Sequence, residues 1–173
     1  STPIKSSAAS DVYKRQNDIW GLQYDHGEMA EVAGCHQVPV IVMHNKADTN
    51  YNGDVIEEMK IFFDKSLDIA LQAGVKEENI ILDPGVGFGK TYENNLEIIN
   101  KLECMHTLGY PILLGTSRKS VIGLTLDLPA DQRMEGTVAT TVIGVMKGVA
   151  FVRVHDVKEN YRALKMTEAI LGR

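Results

Sequence analysis

The segment 83–90 has the residue types of a ligand-binding loop. Asp83 directly follows an apolar run, and glycines then alternate with bulky residues until Lys90 closes the segment. A carboxylate at the end of a buried strand can accept hydrogen bonds from paired N–H donors, and glycines let the backbone pass close to a ligand. The segment therefore predicts a site for a small polar ligand, although a tight strand-to-helix turn would use the same residues.

Two nucleotide-binding motifs do not fit this segment. A Walker A loop needs a glycine five residues before its last glycine, and that position holds Pro84. A dinucleotide motif, Gly-x-Gly-x-x-Gly, that started at Gly85 would need a glycine where the chain has Lys90. We therefore do not expect this loop to cradle a nucleotide phosphate.

Amide and cationic side chains stand at the ends of other predicted strands. Asn17 and Lys119 beside Asp83 would suit a planar, amide-rich heterocycle. Arg153 and His155 alternate with valines, so strand geometry points both the same way, and an arginine can hold phosphate or pyrophosphate through charge-assisted hydrogen bonds. Each residue also has a structural interpretation: Asp83 can cap its turn, Lys119 can be a solvated surface residue, and His155 can be satisfied within the fold.

The elements that must position these residues alternate between strands and helices. Apolar runs predict strands at 17–21, 38–44, 80–82, 111–115 and 151–157. Helical spacing predicts helices at 27–34, 54–74, 92–108 and 136–147, and a last helix that ends at 171. The side chains expected to face inward from these helices are Val55, Met59, Phe62, Phe63, Leu67, Ala70, Leu71, Leu96, Ile99, Leu102, Val157, Tyr161, Leu164 and Ile170. This order predicts a parallel α/β fold whose strand ends meet on one ligand face.

Composition argues against several classes of protein. The 173 residues carry a formal net charge of -5, which offers no basic footprint for nucleic acid. No apolar run approaches the roughly 18 residues of a membrane span. Cys35 and Cys104 form no Cys-x-x-Cys pair, and the histidines show no metal-ligand spacing. We predict a cytoplasmic protein in which residues 1–16 are a non-native or disordered leader and 17–173 form the domain.

Five motifs together resemble the dihydropteroate synthase family of pterin-binding enzymes. They are Asn-Asp-Ile at 17–19, Met-His at 43–44, Asp-Pro-Gly-Val-Gly-Phe-Gly-Lys at 83–90, Ser-Arg-Lys-Ser at 117–120 and Arg-Val-His-Asp-Val at 153–157. The resemblance implies a partial TIM (β/α)8 barrel, about strands four to eight with their helices. It also implies a transferase that joins 6-hydroxymethyl-7,8-dihydropterin pyrophosphate to p-aminobenzoate, releasing pyrophosphate in folate biosynthesis.

The resemblance further implies how the pterin is held. Asn17, Asp83 and Lys119 would bind its ring. Met43 and Gly115 would line the slot that the ring enters.

The other two ligand groups are implied in the same way. Arg153 and His155 would bind pyrophosphate and act in catalysis together with Lys119. Phe88, Ser117 and Lys119 would border the p-aminobenzoate pocket, where sulfonamides compete in this family. Mg²⁺ is the implied cofactor, and the asparagine that helps to place it in the family is expected to lie outside this chain.

Two other functions share some of these motifs. A pterin-binding methyltransferase of the same superfamily would need Asn17 and Asp83 but not the cations suited to pyrophosphate. A non-catalytic pterin-binding fragment would need no turnover. We expect this chain, as an N-terminally shortened barrel, to have little activity and to expose strand edges that favour self-association, such as a homodimer.

Overall fold

Strands and helices alternate along the chain in the computed structural model, which describes residues 16–173. The strands are β1 (Gln16–Asp18), β2 (Val40–Met43), β3 (Ile80–Asp83), β4 (Leu113–Leu114) and β5 (Phe151–Val152). The α-helices are α1 (Glu28–His36), α2 (Val55–Gln72), α3 (Tyr92–Asn100), α4 (Ser120–Leu126), α5 (Met134–Met146) and α6 (Val157–Ile170). Short 3-10 helices occupy Glu77–Asn79, Leu102–Leu108 and Ala130–Gln132. The predicted α/β class is confirmed, whereas the leader prediction falls on residues outside the described range except for Gln16, which begins β1.

The strands that pair with one another are all parallel within the described residues. β1 pairs with β2, β2 pairs with β3 with Met43 opposite Asp83, and β4 pairs with β5. A parallel bridge between Leu82 and Ile112 links the two groups of strands. The strands therefore follow one another in chain order, and their carboxyl ends lie on the same side of the sheet.

The two faces of the sheet are covered differently. Even-numbered strand residues such as Val42 and Leu82 belong to the large core beneath the helices. Odd-numbered residues of the same strands form a much smaller cluster, Ile41, Ile81 and Leu113, with Phe151 packed against it. Since side chains alternate along a strand, the odd-numbered residues at the carboxyl ends face this second, sparsely filled side.

Helix α2 supplies much of the large core. Asp54 caps it, because its Oδ1 accepts a hydrogen bond of 2.7 Å from the Ile56 amide. The inward prediction is confirmed for Val55, Met59, Phe63, Leu67 and Ala70, while Phe62 is half-buried. Leu71 is exposed, so its prediction was wrong: it lies in the same last turn as buried Ala70 but about 100° further around the helix.

The prediction of one helix from 92 to 108 was also wrong. α3 ends at Asn100, and the chain continues as the separate 3-10 helix Leu102–Leu108. Ile99 and Leu102 are buried as expected, but Leu96 is exposed because the buried stripe of α3 passes through Ile98 and Ile99.

The last helix buries a polar stripe instead of the predicted apolar one. Leu164 is buried as expected, but the other three predicted residues, Val157, Tyr161 and Ile170, are exposed. Asn160 lies inside, where its Oδ1 accepts a hydrogen bond of 2.7 Å from the Thr141 hydroxyl of α5. α6 therefore packs a polar face against the polar surface of α5, because buried hydrogen-bonding groups need partners.

Two bounds were also predicted differently near the site. β5 ends at Val152, so the predicted strand 151–157 was too long, and the helix α4 was not among the predicted helices. No helix in the described part of the chain is long and apolar enough to cross a membrane.

Candidate functional site

The predicted site residues lie at the carboxyl ends of the strands, on the sparsely filled face. Asn17 of β1 lies opposite Ile41, and Asp83 of β3 lies opposite Met43. Gly115 comes directly after β4, and Arg153 comes directly after β5. Both are odd-numbered, like Asn17 and Asp83. Parallel register and strand alternation thus bring together residues that are far apart in the sequence.

Asp83 is the buried acid of this face, with 2% of its surface exposed. Its Oδ1 accepts a hydrogen bond of 2.8 Å from the Gly85 amide. A Cβ added at Gly115 would lie 3.9 Å from Asp83 Oδ2 and 3.8 Å from Arg153 Nε. The second carboxylate oxygen and the guanidinium therefore border the same space, which the missing side chain of Gly115 leaves open.

Burial raises the pKa of Asp83, and nearby positive groups oppose that rise. The Gly85 amide opposes it most, followed by the charges of Lys119, Arg153 and Lys90. Burial destabilises a carboxylate relative to water, and hydrogen-bond donors or cations that reach it offset this cost. A ligand with N–H groups would supply such donors.

The loop after β3 closes on itself through Lys90, which is 8% exposed. Its Nζ donates to the carbonyls of Gly85 at 3.0 Å and Phe88 at 2.9 Å, and it lies 2.8 Å from His44 Nδ1. One ammonium group thus bonds to two carbonyls of the loop, of which that of Gly85 also accepts from the Phe88 amide at 3.0 Å. The predicted ligand loop is therefore held from within by its own last residue.

The glycines of this loop permit its close approach to the segment after β2. Gly85 has a φ of 65°, and a Cβ there would collide with the carbonyl oxygen of His44. Gly89 has a φ of 54°, and a Cβ there would collide with the backbone of Lys46. Any larger residue would have to push the two segments apart.

Polar side chains hold the outer side of the loop. The Gly87 amide donates to Asn95 Oδ1 at 2.7 Å, and Asn95 is itself buried in α3. The Tyr51 hydroxyl donates to the Gly89 carbonyl at 2.8 Å. These bonds hold the middle and the far end of the loop that begins at Asp83.

Lys119 reaches over this loop from the segment after β4. Its Nζ donates to the Val86 carbonyl and lies 4.6 Å from the ring centroid of Phe88. Burial lowers the pKa of Lys119 to about 8; the charge of Asp83 opposes this shift, and Arg153 adds to it. The structure thus brings Lys119, Phe88 and Asp83 together, as the sequence predicted.

Ser117 and His155 form a second group beside the first. The His155 amide donates to Ser117 Oγ at 3.1 Å, and the same Oγ lies 2.8 Å from His155 Nδ1. The contact suits a Ser117 hydroxyl that donates to Nδ1, in the tautomer whose ring hydrogen lies on Nε2. His155 can then donate from Nε2 to an anion.

The two polar segments after β4 and β5 are joined by an ion pair. Arg118 donates to both carboxylate oxygens of Asp156, at 2.8 and 3.3 Å. Arg118 has a φ of 59°, and its amide donates to Thr137 Oγ1 at 3.2 Å. Arg133 also donates to the Arg118 carbonyl at 2.9 Å. The start of helix α5 therefore supports the backbone of the segment after β4.

Asn17 carries an acceptor with no partner inside the protein. Its Oδ1 is the buried side-chain oxygen or nitrogen atom that lacks a hydrogen bond among residues 16–173. An unpaired buried amide oxygen is unfavourable by about 1–3 kcal/mol. A ligand donor at this position would satisfy it.

The described residues contain no group of three or more His, Cys, Asp or Glu side chains that could hold a metal ion. What they do contain is two acceptors, Asn17 Oδ1 and Asp83 Oδ2, together with the cations Lys119 and Arg153. This arrangement can bind a molecule that has N–H donors at one end and negative charge at the other.

The contact between His44 and Lys90 was not predicted from the sequence. No function was assigned to His44, and the burial of the Lys90 ammonium inside the loop was not predicted. Burial, together with the charges of Lys90 and Lys46, lowers the pKa of His44 to about 3. The motif Met-His at 43–44 contained His44, but nothing local indicates which way its ring points. Its contact with Lys90 joins residues far apart along the chain and depends on how two loops pack.

Comparison with known proteins identifies the relatives of this chain. The sequence model of the family described as "Pterin binding enzyme" matches residues 5–155. A dihydropteroate synthase of Clostridium beijerinckii is 58% identical over 161 residues, which are 91% of this chain and 58% of that protein.

Solved structures agree with this relationship. A crystal structure of dihydropteroate synthase from Clostridium difficile, in the presence of pteroic acid, has a TM-score of 0.90 and 52% identity, over 92% of this chain and 60% of that one. The enzyme of Thermus thermophilus, in complex with 6HMPPP, has a TM-score of 0.83 and 41% identity, over 90% of this chain and 62% of that one. The chain thus spans about three fifths of the length of the relatives that it matches.

Proposed function

Since this chain belongs to the family of pterin binding enzymes, we propose that it carries the pterin-binding and pyrophosphate-binding residues of a dihydropteroate synthase. The proposed reaction joins 6-hydroxymethyl-7,8-dihydropterin pyrophosphate to p-aminobenzoate and yields 7,8-dihydropteroate and pyrophosphate. One observation carries the proposal: buried Asp83 faces the open space at Gly115 together with the guanidinium of Arg153. Acceptor and cation thus border one slot.

Ring recognition would use the two acceptors of the face. A pterin has an amino group and a ring N–H on neighbouring positions, which match the carboxylate of Asp83. Asn17 Oδ1 lacks a partner inside the protein and would take a further donor. Met43 and Gly115 would line the slot, because a planar ring needs apolar contact on its faces and no side chain in its plane.

Pyrophosphate departure would use the cationic side of the slot. When the bond between the pterin methylene carbon and oxygen breaks, pyrophosphate takes both electrons, and negative charge grows on its oxygens. Arg153, and His155 through its Nε2–H, would stabilise that charge with preformed donors. No covalent protein nucleophile is required.

The arylamine would enter beside Phe88 and Lys119. The neutral nitrogen of p-aminobenzoate attacks the electron-poor methylene carbon and then loses a proton. Ser117 and Lys119 offer hydrogen-bond donors near the carboxylate end, and the Phe88 ring offers a flat contact surface. The pocket would thus be formed by the segments after β3 and β4.

The cations favour this reaction over methyl transfer. Lys119, Arg153 and His155 have a function in pyrophosphate departure, whereas a pterin-binding methyltransferase has no such leaving group. The relatives are named as synthases, which agrees with this choice. Release of pyrophosphate, measured with a coupled phosphatase assay, would distinguish the two enzymes, and pterin binding without turnover would indicate a binding module.

The finer architecture that we propose is a (β/α)8 barrel in which β1–β5 correspond to about strands four to eight. Parallel strands in chain order, each followed by helix, support it. Mg²⁺ and a homodimer remain predictions from the family resemblance. Within residues 16–173, no group of three or more His, Cys, Asp or Glu side chains could hold a metal ion.

Asp83 provides the test of the proposed function. Asp83→Ala should weaken binding of 6-hydroxymethylpterin by about 2 kcal/mol or more, because the ring donors lose their acceptor. Calorimetry on the wild type, on this variant and on Asp68→Ala, an exposed acid of α2, measures the effect. If the wild type does not bind this pterin, or Asp83→Ala binds it equally well, the proposal is wrong.

A further inference from the structure

Lys90 is a buried cation that the proposed reaction does not use. Its ammonium has three N–H groups, and three acceptors surround it at 2.8 to 3.0 Å: the carbonyls of Gly85 and Phe88, and His44 Nδ1. A longer contact of 3.4 Å reaches the His44 carbonyl. The group is therefore fully engaged inside the loop and is not a free surface charge.

His44 can serve as an acceptor only if its Nδ1 carries no hydrogen. Its low pKa of about 3 keeps the ring uncharged near neutral pH, so the single ring hydrogen lies on Nε2 when Nδ1 accepts. The ring is held edge-on to Phe62, with centroids 4.7 Å apart. His44 is thus a fixed acceptor that determines where the Lys90 ammonium sits.

The residue that Lys90 holds is the one that orients Asp83. The Gly85 carbonyl accepts from Lys90, while the Gly85 amide donates to Asp83 Oδ1. The charge of Lys90 also favours the ionised form of Asp83, as do the charges of Lys119 and Arg153. Loss of the Lys90 charge or of its hydrogen bond would therefore affect the Asp83 carboxylate through Gly85, which bonds to both residues.

We propose that Lys90 is a positioning residue for pterin recognition, whose charged ammonium, fixed by His44, holds the loop that orients Asp83 and makes ring binding dependent on pH. The inference rests on the proposed function and adds a protonation step to it. A neutral amine has only two N–H groups and a lone pair, so, while the His44 ring hydrogen stays on Nε2, one of the three acceptors would face a lone pair. The loop would then loosen, and Asp83 would lose its fixed orientation.

The groups around Lys90 determine where this protonation occurs. Burial lowers the pKa of Lys90 to about 7, against the opposing charge of Asp83 and with a smaller contribution from Lys119. Lys46 lies on the other side of His44, whose pKa it lowers. We therefore expect the ammonium to lose its proton between about pH 6 and pH 8.

Lys90→Met tests the inference, because methionine keeps the length of the side chain but removes its donors and charge. The Kd of 6-hydroxymethylpterin is measured by calorimetry at about pH 6 and about pH 8.5. Lys60→Met is the control, since Lys60 is a lysine of α2 whose ion pair with Glu57 is exposed. The ratio of variant to wild-type Kd cancels the titration of the probe.

We expect a ratio of about ten or more at pH 6, since lost hydrogen bonds in buried sites weaken binding by that order. Near pH 8.5 the ratio should fall towards one, because wild-type Lys90 is then neutral as well. A merely structural role would give the same ratio at both pH values, and a ratio of one at both would also overturn the inference. Wild-type protein that does not bind the pterin would instead contradict the proposed function.

A second measurement needs neither ligand nor variant. Amide hydrogen exchange of Gly85, Gly87 and Phe88 in the wild type, corrected for intrinsic rates, should accelerate severalfold between about pH 6 and pH 8.5. Unchanged protection of these amides would show that the charge of Lys90 does not hold the loop. This outcome would overturn the inference even if the protein binds pterin.

Discussion

The loop after β3 and the segment after β5 border the same slot, but they are held in different ways. In the loop, Asp83 and Lys90 are buried, and Asp83 Oδ1 and the Lys90 ammonium both bond to Gly85 of the loop. After β5, Arg153 and His155 are exposed. The part proposed to recognise a fixed planar ring is therefore ordered in advance, whereas the part proposed to meet a flexible anion keeps its hydration until the anion replaces the water.

Substitution of two glycines should give the largest difference in stability between the loop after β3 and the open slot. Gly85→Ala should lower the free energy of unfolding by about 3 kcal/mol or more, because its φ is positive and the new Cβ meets the His44 carbonyl. Gly115→Ala should change it by less than about 1 kcal/mol, since the new Cβ meets only ordinary contacts of 3.8 and 3.9 Å, yet it should weaken pterin binding by filling the slot.

Thermal unfolding and calorimetry of both variants check this pair. Equal losses of stability in the two variants would mean that the loop after β3 is not the more constrained region.

Acid should act on the loop region through His44. Its pKa falls on folding from 6.5 to about 3, so the unfolded chain binds more protons between these values, and stability is lost as the pH falls from about 6.5 towards 3. Over about pH 7 to 4 this group should contribute about 3 kcal/mol of the loss. Urea unfolding of the wild type and of His44→Gln would isolate it, because the difference between their pH profiles removes the titration of the carboxylates. Parallel profiles would contradict the assignment.

Substitution of Arg153, in the segment after β5, should weaken ligand binding but hardly change the free energy of unfolding. Arg153→Gln should change the free energy of unfolding by less than about 0.5 kcal/mol, because the side chain is exposed. It should weaken pyrophosphate binding by about 1.5 kcal/mol, through loss of a charge-assisted hydrogen bond. Binding of 6-hydroxymethylpterin, which lacks the pyrophosphate, should weaken much less.

Arg162→Gln, an exposed arginine of α6, is the matched control for this experiment. If the pterin and pyrophosphate affinities fell together in Arg153→Gln, the division of the site into two differently built regions would be wrong.

Much of the site could be predicted because it depends on local patterns. Asp83 ends an apolar run, and such a run predicts a buried strand whose next residue reaches the ligand face. Arg153 could be assigned by the same reasoning, whereas Gly115 was assigned from the family resemblance. The helix faces were predicted less well: Leu164 is inside α6, but Val157 and Ile170 are not, because α6 packs on a polar surface of α5 that no periodicity within α6 describes.

By itself the sequence determined the order of strands and helices and the strand ends at which Asn17, Asp83 and Arg153 stand, since both follow from local periodicity and alternation. Only the tertiary structure decided what those ends contact. The bond from Lys90 to His44 and the one from Ser117 to His155 each span a long stretch of chain. Burial and hydrogen bonding depend on how distant segments pack, so these partners appear only when the chain is folded.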